Sequence, residues 1–154
     1  DKLETSDFDV FELQRETNNN ELVVVTNFFM KKHDLFSKLK INPETFYNFS
    51  KAIQDGYRPD HTTTKSTEQT SARPPTTFAQ EQSKGNLLFD NVDFFSLVIG
   101  GAVHDYEHFG FGNDFLIKTA HPWAIKYNDT AVLENHHVGA ALELATRQNL
   151  NIFE

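Results

Sequence analysis

Residues 93–108 read DFFSLVIGGAVHDYEH, an apolar run that passes without a break into two histidines and two acids. A run of this kind is fit only for burial, so His104, Asp105, Glu107 and His108 stand at the edge of an interior. An unpaired charge there costs several kcal/mol unless another group or a metal ion compensates it. Any fold for this chain must therefore bring a partner to that end of the segment. Asp90 or Asn91 can cap a largely buried helix over this stretch. Gly100 and Gly101 would each weaken a helix interior by about 1 kcal/mol, which points to close approach by a neighbour. A strand over 94–99 that ends at the glycines is the alternative.

Elsewhere the apolar spacing is helical. In ELVVVTNFFMKKHDLFSKL, Leu22, Val25, Phe29, Lys32 and Phe36 fall near one face, and the asparagines at 18–20 offer an N-cap. A strand at 22–25 is the weaker reading of the three valines. In NPETFYNFSKAIQDGY, Asn42 caps, Pro43 opens the first turn, Phe46, Phe49 and Ile53 line a face, and Gly56 closes. Residues 9–15 form a short helical turn, and 113–119 and 121–129 form short helices with Pro122 in a first turn. From 130 onward a long amphipathic helix is expected, apolar at Val132, Val138, Ala141, Leu142 and Ala145. Residues 58–86 change character: Thr, Ser, Gln and Pro dominate, and the segment, including TTTK at 62–65, reads as a solvated loop or insert. The expected class is all-α, a compact helical bundle.

The chain has 154 residues with 14 Lys and Arg against 22 Asp and Glu, a net charge of -8, which suits one domain and disfavours contact with a phosphate backbone. Cysteine is absent, so disulfides, thiolate metal sites and thiol catalysis are excluded and any metal must use His and carboxylates. The first ten residues hold neither a basic region nor an apolar core, and no apolar run nears the roughly 20 residues of a membrane helix. The expectation is a soluble, cytoplasmic protein without a membrane segment.

On a continuous helix His104 and His108 are one turn apart and Asp105 shares a face with His108, so all three can point into one cavity. Glu134 and His137 repeat the three-residue spacing in the last helix. Without thiols, such a set suits Zn, Mg, Mn or Fe. His136 and His137 are neighbours and are not expected to face inward together. Glu107, His33 and His121 read as ordinary surface residues, and Glu134 as either a first-turn charge or an outer residue of the site. The Asp105/His108 and Glu134/His137 spacing also imitates a di-iron carboxylate bundle, which needs further inward glutamates that Glu21 and Glu44, at helix starts, supply poorly.

Taken together, HDYEHFG, NDFLI and YNDTAVLENHH, with His104 and Glu134 30 positions apart, resemble the catalytic domain of class I 3',5'-cyclic nucleotide phosphodiesterases, within the wider HD metal-hydrolase group. FYNFSKAIQDGY and FDVFELQ add to the likeness, which covers nearly the whole chain except 58–86 and corresponds to the N-terminal part of the family domain. The resemblance implies an all-helical fold and hydrolysis of cAMP or cGMP to the 5'-monophosphate in cyclic-nucleotide signalling. It implies two divalent cations, zinc at the tight position and magnesium or manganese at the second. His104 then corresponds to a ligand of the tight metal and Asp105 to the carboxylate that reaches both. His108 and Glu134 correspond to residues that hold water around the second metal, and Asn113 to a position in the same motif region.

The family's first motif, His-Asn-x-x-His-Ala-x-Asp, is not matched. With Gln69 and Thr70 as register, Pro59, Thr63 and Ser66 stand where two His and an Asp are expected. His61 is the candidate stand-in for the acid or for a ligand. The family's further metal-binding Asp, purine-gripping Gln and aromatic clamp belong to helices beyond the matched part, so an incomplete metal site without a nucleotide pocket is expected. The alternative to an enzyme is a non-catalytic helical module that binds metal or a partner.

Overall fold

Side-chain caps set four of the eight described helix starts. The computed structural model describes residues 9–57 and 89–154. Among these are eight helices and no strand: α1 (Val10–Glu16), α2 (Glu21–Lys32), α3 (Leu35–Lys38), α4 (Pro43–Gly56), α5 (Asn91–Val103), α6 (Asn113–Lys118), α7 (Pro122–Lys126) and α8 (Val132–Ala145). Asn42 Oδ1 accepts from the Glu44 and Thr45 amides at 2.8 and 3.2 Å, and Pro43 takes the first helical position. Asp90, rather than Asn91, caps α5: it accepts from the Val92 and Asp93 amides while Asp93 accepts from the Asp90 amide, a reciprocal box. The expected loop or insert at 58–86, with His61 and TTTK, lies outside the described residues.

Several expectations about local structure change. Asn20 stands at the N-cap of α2 but its side chain does not cap the helix, because its amide donates back to the Thr17 and Asn18 carbonyls. The valines of α2 are helical; burying Val23, Val25, Phe29 and Met30 on one side outweighs their β preference. The helix expected to run on to Leu39 breaks at Asp34, whose φ of 54° is left-handed, and restarts as α3. Lys32 is therefore exposed, and Phe36 belongs to the next helix. The strand at 94–99 is not formed. Gly100 and Gly101 have open space where a Cβ would stand, so close approach is not their reason; the close approach is at Gly56.

The main core joins α2, α4, α5 and α8 through Phe29, Met30, Phe46, Phe49, Ile53, Val98, Ala102, Ala141 and Leu144. Full burial of each large apolar side chain contributes about 1.5–3 kcal/mol, enough for this face to dictate the packing. A smaller core of Leu116, Ala124, Val132 and Leu133, covered by Phe109, Trp123 and Tyr127, fastens α6 and α7 to the start of α8. The last helix stops at Ala145, short of the expected length, and Ile152 returns to the core after a left-handed Asn149. Its buried stripe is Val132, Leu133, His136, His137, Ala141, Leu144 and Ala145; Val138 and Leu142 are half-exposed, one step around the helix from that stripe. No described helix is long and apolar enough to cross a membrane.

Candidate functional site

The site grows from the end of α5. The helix closes at Val103 with His104 as its C-cap, and residues 104–107 form a turn that reaches Glu107 at a left-handed φ of 60°. His104 and His108 are thus not stacked on a helix as their spacing predicts. The turn is anchored from both sides. Tyr106 is buried with its ring edge on against Gly56, where any Cβ would collide with it, and Tyr57 donates its hydroxyl to the Ala102 carbonyl at 2.8 Å. Burial pushes the Tyr57 phenol well above the usual tyrosine range, so the hydroxyl stays a donor.

His104 Nδ1 lies 2.9 Å from the Gly101 carbonyl, which accepts, so the ring proton sits on Nδ1. In the neutral ring this leaves the lone pair of Nε2 over: that atom is buried without a hydrogen-bond partner among the described residues and faces Asp105 Oδ2 at 3.4 Å. Two electron-pair donors opposed at this separation repel unless a cation lies between them. The other carboxylate oxygen, Oδ1, is 3.9 Å from His137 Nε2. His104 and Asp105 therefore fit a divalent cation as two neighbouring donors of the right chemistry, a neutral imidazole oriented by a carbonyl and a carboxylate. Among the described residues no group of three or more such donors surrounds one ion position.

His137 is the residue that spacing alone undervalued. It is 2% exposed, its Nδ1 donates to the Tyr106 carbonyl at 2.5 Å, and its ring stacks against His108 with centroids 5.6 Å apart. Burial depresses its pKa below 6.5, against the pull of the Tyr106 carbonyl and Asp105 and with help from neighbouring His108 and His136. His136 is buried as well, contrary to the expectation that only one of the pair turns inward. The two rings point about 100° apart on the helix, and two different surfaces receive them: the 104–108 turn covers His137, and Trp123 stacks on His136 with centroids 3.4 Å apart. His136 Nε2 is 2.8 Å from Glu107 Oε2, so Glu107 is not an ordinary surface residue.

His121 and His33 also leave the surface class: His121 caps α7 by accepting from the Trp123 amide at 3.2 Å, and His33 stacks on Phe94. The "HPW" order, with an imidazole just before a proline-led helix, was the available signal for the first of these.

Asn113 and Glu134 form a separate pair. Asn113 Nδ2 donates to Glu134 Oε2 at 3.0 Å, and Asn113 Oδ1 accepts from the Leu133 amide at 2.9 Å, so one side chain ties α6 to the first turn of α8. The Asn113 bond, chiefly, holds the Glu134 carboxyl below its usual 4.5; its own backbone and the nearby His137 add to this against the cost of burial. His108 Nδ1 accepts from the Gly110 amide at 3.0 Å. Glu134 and Glu44 are both exposed, so they do not supply the inward carboxylates of a di-iron bundle.

The family model described as 3'5'-cyclic nucleotide phosphodiesterase matches residues 75–154, the half of the chain that holds this turn and α8. The chain belongs to the cyclic nucleotide phosphodiesterase family. Its relatives include the 3',5'-cyclic-AMP phosphodiesterase 4 of Dictyostelium discoideum, 34% identical over 135 residues, or 88% of this chain and 13% of that protein. The dual specificity calcium/calmodulin-dependent 3',5'-cyclic nucleotide phosphodiesterase 1B of Mus musculus is 31% identical over 150 residues, 95% of this chain and 28% of that protein. The chain thus spans less than a third of the length of these relatives. The crystal structure of the phosphodiesterase domain of the RhoPDE fusion protein from the choanoflagellate Salpingoeca rosetta shares the fold, with a TM-score of 0.80 at 23% identity over all of this chain and 47% of that one. The all-α expectation and the phosphodiesterase resemblance both hold.

Proposed function

We propose that this phosphodiesterase-family chain contributes half of a metal-dependent site for hydrolysing a 3',5'-cyclic nucleotide to its 5'-monophosphate. The observation behind the reading is the buried, unpartnered Nε2 of His104 set 3.4 Å from the Asp105 carboxylate. His104 is the ligand of a tight cation, zinc, and Asp105 reaches both that ion and a second one, magnesium or manganese. Divalent ions bound there supply a water of lowered pKa and a Lewis acid for the phosphoryl oxygens. His108, Glu134 and Asn113 orient water at the second position, and Asn113 fixes the Glu134 carboxylate by its bond. His61 is the candidate donor to the leaving 3' oxygen.

The test is release of 5'-AMP from cAMP by the purified protein, with and without zinc and magnesium, beside His104→Ala and Asp105→Ala. Metal-dependent release lost in both variants supports the reading; release indifferent to both sinks it. A second reading is favoured by Pro59, Thr63 and Ser66, which cannot replace the family's first-motif His and Asp. In that case the site binds metal or nucleotide without turning it over, and zinc binding abolished by His104→Ala with no 5'-AMP formed would establish it.

A further inference from the structure

The turn that presents Asp105 is tied to α8 by two adjacent histidines, and only one of them touches Asp105. His137 donates to the Tyr106 carbonyl, directly after Asp105. His136 reaches Glu107, two residues after it, at 2.8 Å. Its Nδ1 is buried without a hydrogen-bond partner among the described residues, so the ring proton sits on Nε2 and is donated to the Glu107 carboxylate. The imidazole is held flat against Trp123, with planes 17° apart. Trp123 is in turn packed edge on by Phe109, one residue past the turn.

Glu107 has a reason to need such a hold. Its φ of 60° is left-handed, a conformation that costs a non-glycine residue about 1–2 kcal/mol. A hydrogen bond to a charged group contributes about 1.5–3 kcal/mol, and this one has a donor that is 8% exposed and stacked. The bond can therefore sustain a backbone conformation that the turn would otherwise leave.

We propose that Glu107 and His136 are positioning residues: with Trp123 as the backing plate, they latch the 104–108 turn onto α8 and so fix the Asp105 carboxylate against His104 and His137. The role in metal binding rests on the function proposed above. Groups that bond a metal ligand directly typically change metal affinity about 10–100-fold when removed, and a latch that acts through the backbone of the turn belongs at the low end of that range.

The experiment is zinc titration of the purified protein by calorimetry, with thermal melts and amide hydrogen exchange of 104–108 in the absence of metal. Glu107→Ala and His136→Phe, the second of which keeps the stack on Trp123, should each weaken zinc at least about 10-fold and speed exchange in the turn. Glu107→Gln keeps an acceptor for His136 and should stay within about threefold of the parent. Glu107→Gly relieves the left-handed strain, so it should keep its melting temperature yet still lose affinity and protection. The double variant Glu107→Ala/His136→Phe should be no worse than either single, because one bond is lost in all three. Parent-like zinc affinity and exchange in Glu107→Ala and His136→Phe would overturn the latch. If the parent takes up no zinc, the metal reading fails by itself, and the exchange rates alone decide whether the latch exists.

Discussion

Gly56 stands at the last position of α4, where alanine ordinarily improves a helix, and here alanine is expected to harm the protein. A Cβ at this position would lie 2.9 and 3.0 Å from Cζ and Cδ2 of Tyr106, and closer still to Cε2. Carbon atoms in contact prefer about 3.5–4.0 Å, so the ring must withdraw by roughly 1 Å or more. It has little room to do so, since Tyr106 is 7% exposed and belongs to the main core. Overpacking of this kind costs about 1–3 kcal/mol, and the helix gain from removing glycine returns at most about 0.5–1 kcal/mol. The net loss is about 1–2 kcal/mol, which at about 2–4 °C per kcal/mol for a chain of this size lowers Tm by about 2–8 °C.

Circular dichroism melts of Gly56→Ala, Tyr106→Ala and the double variant test this as a cycle. With the ring gone, the same glycine replacement should become neutral or stabilising by about 0.5 kcal/mol, a reversal of sign. The displacement should also reach His137, because the Tyr106 carbonyl receives its proton at 2.5 Å. A Gly56→Ala protein more stable than the parent, or one equally affected in both backgrounds, would refute the close-approach argument.

Asn113→Ala should cost about 1–2 kcal/mol, since it leaves the Leu133 amide and the Glu134 carboxylate without their shared partner. Because Asn113 holds the folded Glu134 carboxyl below 4.5, its contribution is present above that pH and lost as pH falls through the lower folded value. Urea midpoints should therefore drop less on acidification in Asn113→Ala than in the parent. In metal-free protein, burial keeps His137 below 6.5, so the unfolded chain binds a proton that the folded one does not just under that pH. Stability should fall as pH drops below 6.5, levelling out once the folded histidine also protonates, and His137→Gln should lack this limb. Zinc at 100-fold over its Kd should stabilise the parent by about 2.7 kcal/mol, chelator should reverse the gain, and His104→Ala should show none of it.

Periodicity and caps were legible in the residues themselves. Asn42-Pro43 and Asp90 begin helices because their short acceptors satisfy free first-turn amides, and Phe46, Phe49 and Ile53 recur at a spacing that leaves one face to bury. The neighbouring imidazole and carboxylate of His104 and Asp105, left at the end of an apolar run, were equally visible, and in the fold His104 Nε2 lies 3.4 Å from Asp105 Oδ2. The conformation that joins them was not legible. Local spacing assumed a helix through His108, but the chain turns at Val103 because Tyr106 must bury against Gly56, some 50 positions earlier.

Likewise, nothing local tells a consecutive histidine pair to bury both rings. That outcome needs two receiving surfaces, the 104–108 turn after α5 and Trp123 of α7, which only the closed tertiary fold brings to two neighbouring faces of the same helix. Spacing and caps act within a few residues and can be read along the chain. The partners of Glu107, His136 and His137 are chosen by contacts far apart in sequence, and these exist only once the core has closed.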